Sequence, residues 1–142
     1  MKAYVVSYRL YALSDHDLKP VAHHIAKHPM NRRYCLTLDL KGDPALIAEY
    51  RRQHEAVWPE VLDSLRASGI VHAEIYLRGT RMVMVLDVAP GFSFEAKTVA
   101  DAANPIVQRW ETLMWTYQQA LPGTPMGEKW QLMERIWEFG EA

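Results

Sequence analysis

The residues best able to do chemistry lie in the stretch YRRQHEAVWPEV, residues 50–61. Tyr50 and His54 are four apart, so on a helix their side chains are neighbours on one face. The imidazole of His54 draws the attention, because a group with a reference pKa of about 6.5 gives and takes protons close to neutrality. The plain alternative is a core histidine satisfied by one hydrogen bond, with Tyr50 and Trp58 as packing residues, and spacing alone does not separate the two. Against packing alone stands a supply of amphipathic aromatics elsewhere: Tyr76, Trp110, Trp115 and Tyr117. Flat rings with polar tips suit a concave site that must meet the C–H faces and the hydroxyl edges of a sugar.

Other motifs are weaker. His24 and His28 have the i,i+4 spacing of a metal-binding helix, but no nearby cysteine or acidic pair completes a ligand set, and no metal or cofactor is expected. RGTRM is no phosphate loop, and GFSFE lacks the glycine pattern of a dinucleotide site. Cys35 alternates with leucines on a strand and reads as a small filler, and no Ser, His and Asp constellation stands out by spacing.

These side chains need elements to hold them. Residues 34–40, YCLTLDL, alternate apolar and polar with the period of a half-buried strand. Asp43 and Pro44 form a cap and first turn for a helix to about residue 56, with Leu46, Ile47, Tyr50, His54 and Val57 on its buried stripe. Pro59 stops or restarts that helix, and Gly69 supplies a left-handed end to the next. Strands over residues 70–77 and 81–88 flank a short loop containing Gly79. A second helical region opens near Ser93, is broken at Asn104 and Pro105, and resumes with Ile106, Trp110, Leu113, Met114 and Tyr117 as its buried stripe. Residues 128–139, EKWQLMERIWEF, read as a last strand. The order strand, helix, strand, strand, helix, strand predicts an α+β, ferredoxin-like split βαβ domain over residues 34–142, its antiparallel sheet covered on one face by helices. The last strand is apolar on both sides, which calls for cover on both sides and predicts a symmetric homodimer.

The 142 residues, 49% hydrophobic and 23% charged with a formal net charge of -1, fit one domain and show neither a nucleic-acid stripe nor a polybasic membrane patch. The single cysteine forms no internal disulfide and points to a reducing compartment, read as the cytoplasm. No run approaches the roughly 20 apolar residues of a membrane span. The first 33 residues differ from the rest, with four histidines (His16, His23, His24 and His28) and a basic end. They are expected to be an extension of uncertain role, with Met30 a candidate start of the natural chain.

AEYRRQHEAVWPEV, AEIYLRGTRMVMVLDV and QRWETLMW together resemble the L-rhamnose mutarotase family, over Tyr34 to about Phe139. The resemblance implies a dimer of ferredoxin-like barrels with a pocket between sheet and helices, where His54 serves as proton donor and Tyr50 contacts the sugar. Two positions depart from the family pattern. Ala73 stands where a sugar-contacting tyrosine is expected, and Glu111 replaces the second tryptophan of a Trp-Trp pair that begins at Trp110. A carboxylate binds a hydroxyl edge where a ring binds a C–H face, so L-fucose becomes a candidate substrate beside L-rhamnose.

The expected activity is interconversion of the α and β anomers of a 6-deoxy-L-hexose by general acid and base. His54 would protonate the ring oxygen, Trp110 would offer a ring face, and Glu111 would accept from a hydroxyl or carry a second proton. Tyr76 and Trp58 complete the expected sugar-binding set. Methionines of RMVMV, or Leu113 and Met114, are the candidate wall for the 6-methyl group. The rival readings are a ferredoxin-like oxygenase or haem-handling dimer, and a dimer that binds sugar without turnover.

Overall fold

The computed structural model describes residues 32–140. The histidines of the leader, including His24 and His28, therefore lie outside the described residues, as does the expected extension apart from Arg32 and Arg33.

Strand β1 (Arg32–Leu40) is followed by α1 (Pro44–Gln53), a single 3₁₀ turn (His54–Ala56), α2 (Pro59–Ser68), β2 (Ile70–Arg78) and β3 (Arg81–Val88). Then come α3 (Phe94–Ala103), α4 (Pro105–Trp115), and two short strands, β4 (Gln118–Gln119) and β5 (Gln131–Leu132). The sheet is antiparallel in the order β2-β3-β1-β4, with β5 also paired to β1. This is the ferredoxin-like arrangement that the order of elements predicts.

The helix boundaries follow from local chemistry. The Asp43 carboxylate accepts from the Ala45 and Leu46 amides and Pro44 opens the first turn. Asn104 does the same for α4 with the amides of Ile106 and Val107, and Ser93 caps α3. Gly69 ends α2 at φ +93°, a conformation that side chains resist. Pro59 disfavours helical geometry at the residue before it, and Trp58 is indeed extended at φ -56°, ψ 133°. The helix expected to reach residue 56 therefore ends at Gln53 and tightens into the 3₁₀ turn that carries His54.

Leu36, Leu38 and Leu40 of β1 and Met82, Leu86 and Val88 of β3 face the helices and are buried with Tyr50, Val61, Phe94, Trp110 and Met114. On α4 the buried phase runs through Val107, Trp110 and Met114, whereas Ile106 and Leu113 of the predicted stripe are only half-buried. The helical layer covers β1 and β3. It leaves β2 exposed along almost its whole length although β2 is paired to β3 from end to end apart from a bulge at Val71.

The predicted last strand is a correction. Pro122, Gly123 and Pro125 interrupt the chain after β4, and only Gln131 and Leu132 return to the ladder, with one more rung from the Met133 amide to the Cys35 carbonyl. Beyond it Ile136, Trp137 and Phe139 are exposed, because nothing within the described residues covers either face of that segment.

Candidate active site

A cavity of about 770 Å³ opens between the core-facing side of β2 and β3 and the helices, a size suited to a small organic ligand. Ala73, Ile75, Met82, Met84 and Leu86 form its floor, the end of α1 and the start of the 3₁₀ turn bring Tyr50 and His54, and α4 brings Trp110, Glu111 and Met114. The floor follows from the register: Ala73, Ile75 and Leu77 sit opposite Leu86, Met84 and Met82 on one face of the sheet. Because the helices stop short of β2, this side of the sheet is a cleft rather than packed core.

His54 is half-buried beside this cleft and is not sealed in the interior. Its Nδ1 lies 2.9 Å from the Tyr50 carbonyl oxygen. A carbonyl only accepts, so Nδ1 carries the hydrogen and Nε2 is the nitrogen left for proton exchange. The contact is built into the helix end, where the His54 backbone amide is shared among the Tyr50, Arg51 and Arg52 carbonyls and the Tyr50 oxygen has a second lone pair for the ring. The ring lies 4.4 Å from that of Tyr50 and meets Trp110 edge to face at 5.6 Å. Burial pulls the His54 pKa below its ordinary 6.5, against the smaller opposing effect of the Tyr50 carbonyl, so the imidazole is neutral at pH 7. Burial also pushes the Tyr50 phenol up to about 12, so its hydroxyl keeps its proton.

The expected aromatics divide into two groups. Tyr50 and Trp110 line the cavity with His54, while Trp58 stands behind Trp110, edge to face at 5.2 Å, and fixes its ring without facing the cleft. Tyr117 packs on Tyr50 from the core side, and Trp115 lies under the Lys129 ammonium at 5.1 Å. Tyr76 borders the rim, but it pairs with Val83 on the outer face of the sheet and its hydroxyl donates to Glu74 at 2.7 Å. The register thus points its ring away from His54.

Four polar residues of this region escaped the sequence reading. On α3, Lys97 donates to Asp101 at 2.6 Å, and both side chains are more than nine-tenths buried in the cavity wall. Burial raises the Asp101 pKa despite the adjacent Lys97. Their signal was present: Phe94, Lys97 and Asp101 share the helix phase i, i+3, i+7, which puts a charged pair on the apolar stripe. Lys129, only 2% exposed, donates to the Glu111 carbonyl at 2.7 Å and to its carboxylate at 2.9 Å. Burial lowers the Lys129 pKa while Glu111 pulls it back up. Glu111 therefore lines the cleft as one half of an ion pair. Gln118 enters from β4, and its Nε2 donates to the Tyr50 hydroxyl at 3.4 Å.

Residues 33–139 match the model of a protein family described as L-rhamnose mutarotase. The chain is 47% identical over 113 residues to an L-fucose mutarotase of Xanthomonas campestris pv. campestris, covering 78% of this chain and 90% of that one. It is 33% identical over 87 residues to an L-rhamnose mutarotase of Klebsiella pneumoniae, covering 61% and 78% of the two chains. The fold is shared with the crystal structure of an L-rhamnose mutarotase from Formosa agariphila, at a TM-score of 0.58 and 18% identity over 77% of this chain and 99% of the other.

Proposed function

The chain belongs to the L-rhamnose mutarotase family, and from that premise we propose that it is an aldose mutarotase that interconverts the α and β anomers of a 6-deoxy-L-hexose, with L-fucose as preferred substrate. The observation that carries this reading is the neutral His54 imidazole, with Nδ1 held on the Tyr50 carbonyl beside a cleft lined by Trp110.

Ring opening breaks the bond between C1 and the ring oxygen, moves that electron pair to the ring oxygen, and makes a carbonyl of C1 and the anomeric oxygen. The anomeric hydroxyl loses a proton and the ring oxygen gains one. Both oxygens are bonded to C1, so one nitrogen can serve both. The neutral Nε2 takes the proton from the anomeric hydroxyl and returns it to the ring oxygen; closure on the other face of the aldehyde reverses the steps. His54 is thus the proton donor that the family resemblance implies, but it enters the cycle as the base. Tyr50, un-ionised, donates to a sugar hydroxyl, and Trp110 offers its ring to a C–H face. Met82, Met84 and Met114 furnish a polarisable apolar wall for the 6-methyl group.

The choice of L-fucose rests on the L-fucose mutarotase at 47% identity and on the changed shell at Ala73 and Glu111. The relatives named above are mutarotases, which leaves the oxygenase or haem-handling reading without support. We further propose a homodimer in the cytoplasm. Val71 and Tyr76 of β2, with Ile136, Trp137 and Phe139 of the C-terminal segment, are each more than half exposed, more apolar surface than a lone domain usually leaves in water. No helix among the described residues is long and apolar enough to cross a membrane.

Saturation-transfer NMR on equilibrated L-fucose and L-rhamnose tests the activity. The protein is expected to accelerate anomer exchange of both, L-fucose more. No acceleration of either sugar sinks the enzyme reading, and saturable binding without acceleration selects the non-catalytic dimer. Light scattering at micromolar protein should give twice the chain mass, and a monomer there removes the dimer.

A further inference from the structure

We propose that Gln118 is a substrate-positioning and specificity-setting residue, its side-chain oxygen accepting a hydrogen bond from the sugar hydroxyl at C2 or C4 while its amino group braces the Tyr50 hydroxyl. The proposal rests on the mutarotase reading and deepens it. Gln118 is 4% exposed and lines the cavity. Its backbone is paired opposite Leu40, which sets its side chain on the same face of the sheet as that core leucine. Nε2 reaches the Tyr50 hydroxyl, but Oε1 has no hydrogen-bond partner among the described residues. Buried acceptors are almost always satisfied, and an exception in the wall of a ligand cleft is accounted for when the ligand supplies the donor.

The hydrogen-bond inventory favours a hydroxyl as that donor. The Tyr50 oxygen accepts from Gln118, and its own proton stays on at neutral pH, free for donation. The pair therefore holds, within the cleft wall, one unused acceptor, Oε1, and one unused donor, the phenol hydrogen. A sugar hydroxyl is donor and acceptor at once, and neighbouring hydroxyls on a pyranose satisfy both. The other walls near His54 are mostly apolar, and the carboxylates among them are already paired, Glu111 with Lys129 and Asp101 with Lys97. L-Fucose and L-rhamnose differ in configuration at C2 and C4, so a buried directional acceptor is the kind of group that separates them.

The test compares wild type with Gln118→Met, which keeps the shape and removes the acceptor, on L-fucose, 2-deoxy-L-fucose and 4-deoxy-L-fucose, reading KM and kcat for anomer exchange by NMR. We expect Gln118→Met to raise KM for L-fucose about ten-fold with kcat within about three-fold, the effect of one lost buried hydrogen bond. For one of the two deoxysugars the ratio of wild type to variant returns to about one. A variant within two-fold of wild type on L-fucose, or an equal loss on all three sugars, overturns the proposal, since a merely structural role would weaken every sugar alike. If wild type accelerates none of them, the mutarotase reading falls and takes this proposal with it. A second measurement needs no variant to fold: in ¹⁵N-labelled wild type the Gln118 side-chain amide resonance is expected to move on titration with L-fucose, and an unmoved resonance at saturation overturns the proposal. Tolerance of 2-deoxy-2-fluoro- and 4-deoxy-4-fluoro-L-fucose also counts against it, because fluorine cannot donate to Oε1.

Discussion

Replacing His54 with asparagine removes the nitrogen that exchanges protons while leaving an N–H close to where Nδ1 now donates to the Tyr50 carbonyl. The substitution therefore separates catalysis from the local fold. On the structural side, the losses are the ring contacts to Tyr50 at 4.4 Å and to Trp110 at 5.6 Å, each about 0.5–1.5 kcal/mol beyond simple burial. Part of that is regained because a half-buried imidazole no longer needs to be desolvated, so unfolding free energy should fall by about 1–2 kcal/mol, a small fraction of the typical 5–15 kcal/mol. On the chemical side, a positioned general acid or base contributes about 10²–10⁴ in rate, or about 3–5 kcal/mol in the barrier. Exchange rates of L-fucose anomers, measured by NMR at pH 7.5 and corrected for the spontaneous rate, should fall by at least a hundred-fold. Sugar affinity by calorimetry should stay within about three-fold, and urea unfolding should remain cooperative. An Asn variant that keeps more than a tenth of the wild-type kcat would remove His54 from proton transfer.

The pH dependence has a definite sign. With His54 acting first as a base and its pKa held below 6.5, kcat/KM for L-fucose should rise with pH along an acid limb below 6.5 and level off above it, and a limb that instead falls between pH 6 and 8 contradicts the assignment. The same depressed pKa means that the unfolded chain binds more protons at this site between the folded value and 6.5. Its contribution to stability is present above pH 6.5 and is lost as pH falls through the folded pKa, and His54→Asn should flatten that part of the urea midpoint against pH. Lys97→Met leaves Asp101 buried without its cation and should cost about 3–5 kcal/mol, less whatever Asp101 regains by taking up a proton; the double variant Lys97→Met/Asp101→Leu should recover much of the loss in thermal unfolding. Gly69→Ala should cost about 1 kcal/mol in urea unfolding. The cost is conformational, because a Cβ there would meet Phe92 only at ordinary contact distance, 3.9 Å, whereas φ +93° is strained for alanine.

Much of this protein was legible in its sequence because the relevant physics is local. Alternation in YCLTLDL, the caps at Asp43, Ser93 and Asn104, the left-handed Gly69 and the hairpin between β2 and β3 each depend on residues within a few positions of one another. Tyr50 and His54 were paired on the same ground, since four residues on a helix fix a neighbour. Other features needed the tertiary structure. The segment 128–139 alternates like a strand, yet pairing requires an edge and burial requires a covering layer, and the described residues supply both only at Gln131 and Leu132. Tyr76 has the right chemistry for a sugar site, but a residue's face on a strand is set by its register with β3, which turned it outward. Lys129 reaches Glu111 across 18 positions, and Gln118 reaches Tyr50 across 68. Contacts of such separation leave no periodic trace in the chain. Sequence alone determined the strands and helices from β1 to α4 and which imidazole stands at a helix end; only the packing of helices short of β2 decided that a cleft exists there and which polar groups line it, because cavities are made by what distant elements fail to cover.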